Sequence, residues 1–172
     1  MGLLRAAAGA VLIGAGTFRA EPRHLWTPEA VFPDLAEGFA ELRRNLGLAP
    51  QPELFVVSRS GNLDPEAAAM RAGAVAVDAR GGLAALLDDL RSRGHDRILT
   101  EGGPTLMGAL LRERLVDDVF LSLAPVIAGR RAGERLGFAA GTALLPERRQ
   151  AARLVSLRRA GDFVFARYNL KT

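Results

Sequence analysis

Three short stretches of this chain have residue types and spacing that could do chemistry. The most specific is Thr100-Glu101-Gly102-Gly103-Pro104-Thr105-Leu106. Glycines let backbone approach a ligand closely. Proline suits the first position of a helix, whose free N–H groups and positive dipole end favour an anion. A pyrophosphate is the natural guest. An ordinary strand-to-helix turn would also explain Gly102-Gly103. Glu101 weighs against that reading, because a carboxylate beside an anion site is costly unless it meets a cation or a ligand donor such as a ring amide or amine.

The second stretch is Gly14-Ala15-Gly16-Thr17-Phe18-Arg19-Ala20-Glu21-Pro22, a glycine-rich turn followed by a hydroxyl and a guanidinium. It lacks the Gly-Lys-Ser/Thr of a P-loop, and Arg19 and Glu21 stand where the Gly-x-Gly-x-x-Gly fingerprint needs small residues. The third is Ser58-Arg59-Ser60, a guanidinium between hydroxyls, suited to a phosphomonoester such as the 2′-phosphate of NADP. A solvated loop explains it equally well.

The elements around these stretches alternate. Ala10–Ile13, Leu54–Val57, Ala74–Val77, Arg97–Thr100 and Val119–Ala124 read as short buried strands. Asp34–Leu46, Asp64–Ala72, Leu83–Arg93 and Pro104–Leu115 carry helical spacing, with Asp34 and Asp64 as expected caps and Gly94 as a stop. Leu154–Arg159 and Phe163–Leu170 read as a hairpin turning at Ala160-Gly161-Asp162, and 128–150 as a long excursion. The pattern predicts an α/β fold over 1–172, with a mostly parallel sheet, helices on both faces and an antiparallel C-terminal hairpin. In such sheets ligands bind beyond the carboxyl ends of the strands, where all three stretches fall.

Composition narrows the classes. The 172 residues are 49% apolar and 24% charged, and contain no cysteine, which excludes disulfide frameworks, thiolate metal sites and cysteine nucleophiles. His24 and His95 have no metal-ligand spacing, so no metal is expected. No Gly-x-Ser-x-Gly elbow is present. Residues 130–172 carry 10 basic and 3 acidic side chains. They are scattered rather than clustered, which favours an arginine-rich surface over a nucleic-acid site. No apolar run is long enough for a membrane span, and the apolar start lacks a cleavage region, so a cytoplasmic chain is expected.

Taken in order, Val11–Thr17, Ser58-Arg59, Glu101–Leu106, Leu115–Asp118 and Leu123–Gly129 resemble the reductase domain of riboflavin biosynthesis, the C-terminal part of the bifunctional deaminase/reductase, in the dihydrofolate-reductase-like superfamily. The resemblance implies a three-layer fold and reduction by NADPH of a ribosylaminopyrimidine phosphate, whose ribose opens to a ribityl chain. It implies cofactor contacts at Gly14, Gly16, Thr17, Glu21, Ser58, Arg59, Gly102, Gly103, Pro104, Thr105 and Leu106, and substrate contacts at Glu101, Arg19, Arg23 and Leu25. Glu21 stands where the family carries Asp, and Pro28 falls near the family's phosphate-binding arginine. The family also begins with a central strand ahead of the Gly14 loop. Here that strand is expected to be missing, which would leave backbone edges exposed. The resemblance implies a homodimer acting on a small molecule. Other expectations on the same scaffold are a reductase of another pteridine-like or heteroaromatic substrate, or a non-catalytic nucleotide-binding remnant.

Overall fold

The computed structural model describes residues 1–127, 129, 137–144, 146 and 149–171. Much of the expected excursion over 128–150 therefore lies outside the described residues. Four parallel strands, β1 (Ala10–Gly14), β2 (Glu53–Val57), β3 (Val75–Val77) and β4 (Ile98–Gly102), form a sheet in the order β3-β2-β1-β4. Strand β1 has a neighbour on each edge, so nothing but side chains must satisfy its two faces. Its residues alternate between them. Ala10 and Leu12 pack with Phe55 of β2 on Leu83, Leu86, Leu87 and Leu90 of α6 (Leu83–Ser92) and on Leu106 and Leu110 of α7 (Pro104–Arg112). Val11 and Ile13 pack with Leu54 and Val56 on Phe18 of α2 (Ala15–Ala20) and on Trp26. A continuous apolar run is what a strand buried on both faces requires.

The remaining helices are α1 (Gly2–Ala7), α3 (Pro28–Val31), α4 (Ala36–Asn45) and the single turn α5 (Ala68–Arg71), with a 3₁₀ turn at Pro33–Leu35. Here the structure corrects several sequence readings. The Gly14–Gly16 stretch is not a loop: α2 begins at Ala15, directly after β1. Asp34 does not cap α4, which starts after Leu35 without a side-chain cap. Asp64 lies outside α5, and its carboxylate accepts the Glu66 N–H in a local turn, which competes with extending the helix.

The larger correction concerns β5 (Asp118–Leu123). It does not extend the parallel sheet. It pairs antiparallel with β7 (Phe163–Asn169), which pairs in turn with β6 (Arg153–Ala160), giving a second sheet ordered β5-β7-β6. The expected hairpin is thus present as β6–β7. Strand patterning tells how a strand is buried, not which neighbour it finds. Strands β4 and β5 each end a sheet, and neither has a second strand neighbour among the described residues.

Candidate functional site

Strands β1, β2 and β4 run parallel, so Gly14, Ser58-Arg59 and Glu101–Gly103 come to one end of the sheet. Between β1 and β4 the register slips: Leu12 pairs with Thr100, but Ile13 pairs with Gly102, leaving Glu101 as the extra residue of a bulge. A bulge re-aims the side chain that carries it. Next to it, Gly102 and Gly103 take φ of 58° and 87°, a left-handed region that side chains other than glycine rarely enter. A Cβ on Gly103 would also lie 2.5 Å from Thr17 Oγ1. Thr17 donates that hydroxyl to the Gly102 carbonyl at 3.2 Å, tying α2 to the end of β4.

Helix α7 then starts with Pro104 and no side-chain cap. Its first N–H groups have no intrahelical acceptor, so Thr105 and Leu106 offer backbone donors at the positive end of the helix dipole. That arrangement fits a pyrophosphate. The Leu106 side chain is core, so only its backbone is available to a ligand. Segment 137–144 crosses the other side of this turn. Ala140 donates its N–H to the Pro104 carbonyl at 2.8 Å, and its own carbonyl lies where a Cβ on Gly108 would sit.

Glu101 has the cationic partner that its position demanded. Arg5, 3% exposed on α1, donates Nε to Oε1 and Nη2 to Oε2, the latter at 2.7 Å. Its Nη1 donates to the Thr27 carbonyl at 3.1 Å. Arg5 is held from behind by Arg43 of α4, 2% exposed, whose Nη1 donates to the carbonyls of Arg5, Ala6 and Ala8. Arg43 therefore satisfies the carbonyls that end α1. Burial lowers its pKa from the ordinary arginine value, against the opposing pull of Glu29. His24 stands in the same neighbourhood, edge-on to Trp26 with ring centroids 4.7 Å apart. Burial and then the Arg5 charge hold its pKa below the ordinary histidine value, while Glu101 and Glu21 pull the other way. Trp26, buried against Phe18, has φ of 54°, a strained backbone for a bulky residue.

The other expected site residues are spread more loosely. Ser58 is buried, and its Oγ accepts the Gly61 N–H at 3.2 Å, so it shapes the loop that leaves Arg59 exposed. Arg19 reaches the Asn62 carbonyl at 3.4 Å. Glu21, Arg23 and Leu25 are exposed on the segment after α2. Gly16 has no atom within 4 Å of a would-be Cβ, so its backbone is open to a ligand. Arg5 was missed from sequence. The one charge in an apolar stretch that becomes buried must find a partner, and that was the available signal. Among the described residues no group of three His, Cys, Asp or Glu could hold a metal ion. No described helix is long and apolar enough to cross a membrane.

A parallel sheet whose carboxyl ends meet one glycine-opened helix start, with an antiparallel sheet appended, is a dihydrofolate-reductase-like architecture. Within it the chain is placed more narrowly. Residues 1–141 match the family model of the RibD C-terminal domain, and the chain belongs to that family. It is 28% identical over 153 residues to a 2,5-diamino-6-ribosylamino-4(3H)-pyrimidinone 5′-phosphate reductase of Archaeoglobus fulgidus, covering 74% of this chain and 67% of that protein. It is 34% identical over 127 residues to the riboflavin biosynthesis protein RibD of Mycobacterium tuberculosis, of which it spans only 32%. Two solved structures share its fold. A pyrimidine reductase-like protein from Corynebacterium diphtheriae superposes with a TM-score of 0.74 at 21% identity, over 99% of this chain and 79% of that one. RibD from Acinetobacter baumannii superposes with a TM-score of 0.77 at 19% identity, over 99% of this chain and 49% of that one.

Proposed function

We propose that this chain reduces a ribosylaminopyrimidine 5′-phosphate with NADPH, as a step of riboflavin biosynthesis. One observation carries the reading: β4 delivers Glu101 on a bulge and passes at once into an uncapped helix start whose dihedrals only glycine meets. The similarity to the archaeal pyrimidinone 5′-phosphate reductase and to the mycobacterial RibD supports it. When bound, the nicotinamide cofactor supplies the hydride. The chain's own residues do the rest. The Thr105 and Leu106 N–H groups take the pyrophosphate, with Gly14, Gly16 and Pro104 lining its approach. Arg59 pairs with the 2′-phosphate, on a loop shaped by Ser58. Thr17 fixes the glycine pair, and Glu21 flanks the cofactor side. Glu101 keeps lone pairs beyond those given to Arg5, and these accept from the pyrimidine amide or amine. Arg19, Arg23 and Leu25 border the substrate.

The reaction balances as hydride addition to C1′, cleavage of the C1′–O4′ bond and protonation of the ring oxygen. Both Glu101 oxygens already accept from Arg5, so water is the better proton source. The reading carries a cytoplasmic location with it. A homodimer would cover apolar side chains that the β5-β7-β6 sheet leaves exposed.

Calorimetric titration with NADPH and NADH tests the cofactor. Arg59→Ala is expected to weaken NADPH at least tenfold and leave NADH unchanged. No NADPH binding at millimolar concentration overturns the reading. Turnover of the pyrimidine substrate, followed by loss of reduced-nicotinamide absorbance, tests the reaction. Binding without turnover would leave only a nucleotide-binding domain.

A further inference from the structure

Phe39 and Arg43 stand one turn apart on α4, so they share a face of that helix. Between them they hold both ends of α1. At its start, a Cβ on Gly2 would lie 2.8 Å from the Phe39 ring and 3.1 Å from the Pro28 carbonyl. At its end, Arg43 Nη1 donates to the carbonyls of Arg5, Ala6 and Ala8 at 3.1, 3.1 and 2.8 Å, and Nε to the Ala49 carbonyl at 2.6 Å. Helix α1 has six residues, too few to be stable alone, so its placement comes from such contacts.

Arg43 is a costly side chain to bury. All its hydrogen bonds go to neutral carbonyls, and its buried Nη2 has no partner among the described residues. An apolar side chain would fill the same space without desolvating a cation. What the guanidinium adds is a fixed backbone at Arg5. From there the Arg5 fork reaches Glu101 and takes one lone pair on each oxygen. The angle of that fork decides where the remaining lone pairs point.

We propose that Arg43 is a positioning residue for the substrate. By fixing Arg5, it sets the direction in which Glu101 presents its free lone pairs to the pyrimidine amide or amine. The inference rests on the reading of Glu101 as the substrate's acceptor.

Two measurements on the full chain test it. The first needs no substrate. The Arg5 Nε–H signal in a proton–nitrogen NMR spectrum is assigned by its disappearance in Arg5→Lys. Arg43→Met is expected to shift or lose that signal. Arg43→Lys should keep it, because an ammonium has three donors for the three carbonyls. Should Arg43→Met lack a folded spectrum, Arg43→Gln, with two donors, is read in its place. An unchanged Arg5 signal overturns the proposal. The second measurement is kinetic. Arg43→Met should raise KM for the pyrimidine about tenfold, the worth of one misdirected charge-assisted hydrogen bond. KM for NADPH should stay within about twofold, and Arg43→Lys should restore both. In a Glu101→Gln background the Arg43 substitution should add little, because the two act through one acceptor. An unchanged pyrimidine KM, an equal rise for NADPH, or full additivity with Glu101→Gln overturns the proposal. If the unsubstituted chain gives the expected Arg5 signals but turns over no pyrimidine, the substrate reading fails and the hold on Glu101 stands.

Discussion

The two sheets solve the same burial problem to different degrees. In the parallel sheet every residue from Ala10 to Ile13 is fully buried, with helices and segments on both faces. In the antiparallel sheet β6 alternates no buried face at all, and Leu157 is 61% exposed. Both sheets are built from β-branched, aromatic and leucine-rich strands, so strand propensity does not separate them. What separates them is whether a helix follows. Helices α6 and α7 pack on the parallel sheet, while among the described residues no helix follows β5, β6 or β7. The candidate site sits where the packing is, on the kind of rigid support that holds side chains to a fixed geometry.

Substitutions should break this contrast in a definite order. Phe55→Ala leaves a void under α6 and is expected to lose about 4 kcal/mol in urea unfolding. Arg5→Met strands the Glu101 carboxylate, whose side chain is 12% exposed, and should lose about 3 kcal/mol. Adding Glu101→Leu to it should recover part of that loss, which a double-mutant cycle reads directly. Gly103→Ala meets both a forbidden φ and the Thr17 hydroxyl. It is expected to lose about 2 kcal/mol and weaken NADPH at least tenfold by calorimetry. At the far end, Leu157→Ser should stay within about 0.5 kcal/mol in the dilute chain. A larger loss that grows with protein concentration would mean that copies cover this face.

Acid should separate the regions too. His24, beside the parallel sheet, has a depressed pKa, so the fold favours its neutral form. Its contribution is present above the ordinary histidine value and declines as pH falls from there through the folded value. Asp118, in the antiparallel sheet, is held below the ordinary carboxylate value by the Arg167 hydrogen bond, despite partial burial. Its contribution persists to lower pH and goes only below the usual carboxylate range. His24→Gln should flatten the first fall and Asp118→Asn the second, in midpoints followed by circular dichroism. The reverse assignment would count against the geometry.

Much of the parallel sheet was legible because its signals are local. The run Ala10–Ile13 and the leucine face of α6 state their own burial, and Glu101-Gly102-Gly103-Pro104 states a strand feeding a helix. The failures were non-local. Nothing in Asp118–Leu123 tells which strand it will pair with. A glycine pair at Gly14 and Gly16 reads as a loop, yet the demand for free backbone is met within a helical turn. Arg5 lies 96 positions from Glu101, and no spacing rule connects residues so far apart.

The bulge at Glu101 makes this part of the chain sensitive to length as well as to composition. Strand β4 uses one residue more than β1 to reach the same level of the sheet. A one-residue deletion here would draw the glycine pair back by about 3.3 Å and carry the start of α7 with it. A one-residue insertion in β1 would give the same relative shift, by carrying Gly14 and the start of α2 forward instead. Chains that drift freely in side chains here should therefore keep the count between Leu99 and Pro104 fixed, so indels in that interval should be rarer than substitutions.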